Sequence, residues 1–389
     1  MTIESSRRAF LAGLLGAGSV AVLAACGDRG TVASESTTSS LGPPASAPII
    51  TCTGGIDSAN LGLCYAWPDM HDGGQMVNWL GADHPFGIVS DDFAVMASMG
   101  VTKVRAFCQL ESVMSFDGDG FTMVPALAAN LHGAFEMAAG FGISLIPVAT
   151  ESHVNEPVHD LDGKFRWELA RTAQGRAIYG RALESYAKEF AVHDNVVMWE
   201  TQNEPYGNIT WAEVPQAMGV TEEDAHEWLL VAYDAMKAEV GDTPVGFSDL
   251  EEEQQEKYRL VADPERRGAL VDDCTDVYSL HIYRNETSQI ADFSDVTDKP
   301  LWCVELGAYN YDDPTGDDHG GQPAHNDLYD EAVNDQVLQD MVPFLLDGGF
   351  DLVMPWSFAN NGGMVEHLPD GSHDLKAAAD WMMAELTRC

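Results

Sequence analysis

Positive charge is scarce in this chain: 20 lysines and arginines stand against 62 aspartates and glutamates among 389 residues, a formal charge of −42. That balance excludes nucleic acid and anionic membrane surfaces as partners, because their phosphates are repelled. No Gly-x-Gly-x-x-Gly loop is present, which argues against a doubly wound dinucleotide-binding sheet. Cys-x-x-Cys spacing is also missing, so no zinc site of that type is expected. What is abundant is apolar material, 45% of the residues with 9% aromatic, enough to fold despite the charge. The acids are spread along most of the chain rather than gathered in a tail. This is the composition of halophilic proteins, soluble in concentrated salt, where a Debye length of about 3 Å makes self-repulsion cheap.

The first 26 residues read as an address. Arg7 and Arg8 precede an apolar stretch ending in Leu23-Ala24-Ala25-Cys26. The paired arginines resemble a twin-arginine export signal, and the closing four residues resemble a lipobox, where Cys26 would receive a lipid. The apolar stretch contains Gly13, Gly16 and Gly18 and is short for a spanning helix. Residues 27–50 include Ser36-Thr37-Thr38-Ser39-Ser40 and Pro43-Pro44, a linker composition that cannot bury a core. The expected mature protein is therefore a monomeric domain, residues 51–389, held by lipid on the extracellular face of the cell membrane.

Besides Cys26 the chain has Cys52, Cys64, Cys108, Cys274, Cys303 and Cys389. Outside the cell these six allow disulfides in 15 connectivities. Cys108 and Cys303 fall in strand-like runs, so buried free thiols are the competing expectation.

From about residue 58, short apolar runs alternate with amphipathic segments. Extended segments are predicted at 62–68, 101–108, 143–149, 195–201, 244–248, 277–282, 301–306 and 352–356. Helices are predicted at 90–99, 125–140, 176–193, 222–240, 254–262, 328–347 and 373–388, with a weak one at 288–298. The extended runs are continuously apolar, as parallel strands covered on both faces must be. Eight strand–helix pairs predict a (β/α)8 TIM barrel, whose reactive groups sit at the C-terminal strand ends.

Two glutamates fall at such ends. The fourth run leads into Asn203-Glu204-Pro205, and the seventh ends in Glu305-Leu306-Gly307. Carboxylates facing each other across a barrel mouth are what glycoside hydrolysis requires, one to protonate the leaving oxygen and one to attack or to activate water. A second Asn-Glu-Pro, at 155–157, lies several residues beyond the third run.

With Arg105 in the second run, His281 and Tyr283 after the sixth and Trp356 after the eighth, this ordered set resembles the clan A glycoside hydrolases. It resembles in particular family 5 and related cellulases and mannanases. The resemblance implies that Glu204 is the acid/base and Glu305 the nucleophile of a retaining enzyme acting on a β-glucan or β-mannan, without cofactor or metal. A sugar-binding barrel that has lost catalysis is the alternative. Asn203 is then expected to bond the sugar 2-hydroxyl. Arg105 and Tyr283 would hold Glu305, His281 would line the pocket, and Trp356 would stack on the reacting sugar.

Some features compete or fit less well. Glu111, Glu151 and Asp249 also follow extended runs, and Glu200 is expected in a buried polar network. His153 stands away from where such enzymes often carry a histidine. Trp67, Trp79, Tyr206, Trp211 and Tyr309 are candidates for further subsites. Asp117–Gly120 and Asp312–Asp318 read as solvated turns rather than calcium loops. The sequons at Asn208 and Asn285 are expected to stay unoccupied.

Overall fold

The computed structural model describes residues 55–65, 86–150, 164–211, 213–251, 271–284, 286–290, 299–308, 331–359, 363–368 and 372–387. The chain divides into units 1–49 and 50–389, and every described residue lies in the second. The export signal, Cys26 and the linker are outside the described residues, as are Cys52, Cys389, Trp67, Trp79, Glu151, His153, residues 155–157, Asn285, Tyr309, Asp312–Asp318 and the helix expected at 254–262.

Eight parallel strands form one sheet, in the order β1 (Leu63–Tyr65), β2 (Lys103–Phe107), β5 (Ser144–Val148), β6 (Trp199–Asn203), β7 (Val245–Leu250), β8 (Tyr278–Tyr283), β9 (Leu301–Gly307) and β10 (Leu352–Pro355). Leu61 bridges in parallel to Val353, and the Gly62 amide donates to the Val353 carbonyl at 3.0 Å, bringing the last strand back to the first. The result is a nearly closed (β/α)8 TIM barrel. Among the described residues two hairpins decorate it: β3 (Met114–Phe116) with β4 (Phe121–Met123), and β11 (Val365–His367) with β12 (His373–Leu375).

The period-two alternation of each strand divides the core. Cys64, Ile146, Met198, Val304, Leu352 and Met354 pack together inside the barrel, while Val104, Ala106, Leu145, Cys303 and Leu306 join the outer core beneath the helices. Helices α5 (Ala173–Phe190) and α8 (Glu222–Val240) lie side by side on that outer face. Gly180 permits their approach, since a Cβ there would stand 2.7 Å from Val231 Cγ1. Each start is specified locally. Thr172 accepts from the Gly175 amide, and Thr221 and Asp224 form a reciprocal capping box, worth about 1 kcal/mol per cap.

Several expectations need correction. The segment predicted as helix 373–388 opens as strand β12, and its helix α10 runs Ala377–Thr387. Of the weak helix predicted at 288–298, the described part begins with a 3-10 turn, Thr287–Gln289, and residues 291–298 lie outside the described residues. Where one helix was predicted after the third barrel strand there are two, α4 (Lys164–Ala170) and α5. Two short helices, α6 (Pro205–Trp211) and α7 (Glu213–Met218), follow the fourth strand where none was predicted. Of the two expectations for the cysteines, the buried free thiol is what the structure has at Cys108 and Cys303, and also at Cys64 and Cys274. Burial raises all four pKa values, as expected of thiols packed in apolar surroundings. Asp117–Gly120 is the expected solvated turn, closing the β3–β4 hairpin with the amides of Asp119 and Gly120 donating to Asp117 Oδ1.

Candidate active site

A polar layer lies above the apolar barrel interior, organised by one buried cation. Arg105 points inward from β2 with no solvent exposure. Its Nε and Nη2 grip Glu200 on β6, at 2.7 and 2.6 Å, in a bidentate pair. Nη1 donates to Glu305 Oε1 at 2.5 Å, and Nη2 also donates to Asn203 Oδ1 at 2.6 Å. Ser248, on β7, completes the layer by donating to Glu200 Oε1 at 2.5 Å. A guanidinium so enclosed is tolerable only because carboxylates surround it. Removing one partner of a buried pair of this kind costs about 3–5 kcal/mol.

Strict alternation would turn Asn203 and Glu305 away from this layer. Glu200 faces inward, so Asn203, three residues on, should face the helices; Val304 faces inward, so Glu305 should not. Both strands are irregular at the required place. Between β6 and β7 the pairing steps from Glu200↔Gly246 to Asn203↔Ser248, three residues against two. Between β8 and β9 it steps from Leu280↔Cys303 to His281↔Glu305, again with one extra residue on the carboxylate's strand. Each irregularity is a bulge that re-aims a side chain into the barrel mouth.

Glu305 is held at both oxygens, since the Tyr283 hydroxyl donates to Oε2 at 2.5 Å. Gly307 leaves room for that tyrosine: a Cβ at 307 would stand 2.9 Å from Tyr283 Cε1. Glu204 lies across the mouth, 5% exposed against 4% for Glu305, and its Oε1 is 2.5 Å from His281 Nδ1. His281 Nε2 lies 3.6 Å from Glu305 Oε1, so the imidazole stands between the two acids. One carboxylate oxygen from each glutamate and a ring nitrogen of His281 fall within 4.8 Å of one another. Burial lowers the His281 pKa, but Glu305 and Glu204 outweigh it and leave the pKa raised.

The backbone of Glu204 has φ of +48°, the left-handed region, at a cost of about 1–3 kcal/mol for a residue other than glycine. Neighbouring contacts fix it there. Its amide donates to the Ser248 carbonyl at 2.8 Å, and Asn208 Nδ2 donates to its carbonyl at 2.7 Å. Asp249 accepts from the amides of Tyr206 and Gly207 at 2.6 and 3.0 Å, so its carboxylate caps helix α6 directly after Glu204. Burial first, then the charge of Glu204, push Asp249 up to about 7 against the pull of these amides.

No family model matches the chain, and no curated protein does so significantly. Solved structures do. A GH5_18 protein from Streptomyces cattleya in complex with Manβ1-4GlcNAc superposes with a TM-score of 0.61 at 15% identity, covering 85% of this chain and 80% of that one. A β-glucosidase from Thermotoga maritima in complex with deoxynojirimycin gives 0.59 at 11% identity, over 87% and 99%. The apo β-glucosidase 1317 gives 0.56 at 18% identity, over 80% and 88%. What these structures share with the chain is the (β/α)8 barrel fold.

Within that barrel, Arg105, Asn203, Glu204, His281, Tyr283 and Glu305 converge as the motifs led one to expect. Trp356 directly follows the eighth strand, half-buried, its ring edge-on to Phe107 at 5.9 Å, while Arg105 lies 4.9 Å from the Phe107 ring centroid. Glu200 is in the polar network expected of it. Tyr206 is not a subsite residue: it is fully buried against Phe247. Asn208 is 1% exposed and committed to the Glu204 carbonyl, which fits an unoccupied sequon. Asp249, weighed from sequence as a rival acid, has a capping position instead. No signal in the sequence marks that role, because its partners are backbone amides on another element.

Proposed function

We propose that the chain is an exported, lipid-anchored β-glycoside hydrolase working by double displacement with retention. The observation that carries this reading is the pair of buried glutamates at the ends of the fourth and seventh strands, with carboxylate oxygens within 4.8 Å of each other. Retaining enzymes keep their carboxyl groups about 5–5.5 Å apart, whereas inverting enzymes need about 6.5–9.5 Å to admit a water.

In this scheme Glu305, oriented by Arg105 and Tyr283, attacks the anomeric carbon. Glu204 gives its proton to the departing oxygen, then takes one from the water that releases the glycosyl-enzyme. His281 shares the proton of Glu204 across their 2.5 Å contact and lies beside both acids. Asn203 is held beside the nucleophile by the bond from Arg105 to its Oδ1, and in this scheme its amide bonds the sugar 2-hydroxyl. Trp356 offers an aromatic face to the reacting ring. The structural neighbours, β-glucosidases and a protein bound to Manβ1-4GlcNAc, favour a β-linked gluco- or manno-configured substrate.

The test is a panel of β-glucans, β-mannans and aryl β-glycosides in concentrated salt, with proton NMR of the fresh product. Cleavage with the β-anomer appearing first is expected. Inversion, or binding without turnover on every substrate, would contradict the proposal; the second outcome would indicate a sugar-binding barrel.

A further inference from the structure

A second cluster of ligating side chains lies apart from the glutamates. Asp92, on helix α1 (Phe86–Ser98), is fully buried, and one of its oxygens, Oδ1, faces two histidines. His367 Nε2 is 2.8 Å from it and His373 Nε2 is 2.7 Å from it. The histidines come from opposite strands of the β11–β12 hairpin, where the register pairs His367 directly with His373. The other oxygen of Asp92 accepts from the Tyr65 hydroxyl at 2.6 Å, which fixes the carboxylate's orientation. Two imidazole nitrogens and a carboxylate oxygen therefore converge within 4.8 Å, from three places in the sequence.

From this convergence we propose that Asp92, His367 and His373 bind a zinc-class divalent transition metal. Two imidazoles and one carboxylate are a borderline donor set, suited to zinc, cobalt or nickel and poor for calcium or magnesium. Tetrahedral ligands at about 2.0–2.1 Å stand about 3.3 Å apart, so both rings need withdraw from Oδ1 by only about half an ångström. Tyr65 is the outer partner that orients the carboxylate. The His367 side chain is 25% exposed and that of His373 10%, which leaves an edge for ion entry and a fourth, water position. A chain of charge −42 also concentrates cations around itself.

The site would act as a staple. The Met364 and Val365 amides donate to the Ser357 and Phe358 carbonyls at 3.0 and 2.8 Å, and both histidine rings lie 6.2 Å from the Phe358 ring. Fixing the hairpin to α1 therefore also fixes the segment after Trp356. The inference is independent of the proposed catalytic activity.

The experiment uses the full chain, stripped with chelator and exchanged into concentrated potassium chloride, where nonspecific binding of divalent ions to surface acids is screened. Titration with Zn2+ by calorimetry should give one site per chain, and loading with Co2+ should produce the visible absorption of a low-symmetry nitrogen–oxygen site. His367→Gln and His373→Gln should each abolish both signals, Tyr65→Phe should weaken binding by roughly 10–100-fold, and Glu204→Gln should leave it unchanged. Circular dichroism establishes that each variant is folded. If a histidine variant does not fold, histidine-directed paramagnetic broadening by Cu2+ in the wild type reads the same contacts: broadening of His367 and His373 supports the site, and its absence overturns it. Binding that is absent, or that persists unchanged in folded histidine variants, would show a hydrogen-bonded latch without a metal.

Discussion

At the scale of single residues, the site is a charge balance resting on Arg105. Glu204, Glu305, His281 and Tyr283 were legible in the sequence because each sits near the end of an apolar run, where a barrel exposes its chemistry, and Arg105 because a charge stands out within the second run. Asp249 was not legible as a cap, since its carboxylate is satisfied by amides more than forty positions away in sequence. Its titration makes a prediction. An aspartate whose pKa is 3.8 when unfolded and about 7 when folded binds more protons in the native state between those values. Its contribution to stability is therefore fully present below about pH 4 and is lost as pH rises toward about 7. The stability difference between wild type and Asp249→Asn should move in the variant's favour across that window, measured by urea unfolding at a series of pH values. A difference that stays flat or moves the other way would contradict the account of this group. His281, whose folded pKa is also raised, adds a loss of the same sign above about pH 6.5.

At the scale of elements, periodicity predicted eight strands and most of the helices between them, but the bulges lay beyond its reach. An extra residue on β6 or β9 leaves the hydrophobic pattern intact and changes only where Asn203 and Glu305 point. The β11–β12 hairpin was missed for a similar reason: His373 to Leu375 is too short to display a period of its own and runs straight into a helical pattern. Strand-like runs also could not say whether a cysteine meets a partner, and four thiols face packed side chains instead. Gly307 tests how far β9 sets the geometry. Gly307→Ala should push against the Tyr283 ring and move its hydroxyl away from Glu305, lowering kcat roughly 10–100-fold with the barrel still folded. Wild-type kcat in a folded variant would mean that this contact does not govern the nucleophile.

For the whole molecule, the apolar core is ordinary and the charge is not. With 62 acids against 20 bases, repulsion is unscreened in dilute buffer and small in molar salt. The melting temperature and activity should both fall on transfer from molar potassium chloride to dilute buffer and recover on return; values independent of salt would remove the halophilic reading. The central claim, a covalent step at Glu305, has a more direct test. An aryl β-glycoside carrying fluorine at C2 forms the glycosyl-enzyme faster than it is released, because the fluorine disfavours the electron-poor transition states while the aryl group departs readily. Mass spectrometry of the protein after incubation with the gluco- and manno-configured reagents should show one added sugar, on the peptide containing Glu305, with none on Glu305→Gln. Glu204→Gln should still be labelled, because an activated aryl group leaves without protonation. A sugar on any other residue, or none in protein that turns over the parent glycoside, would contradict the mechanism.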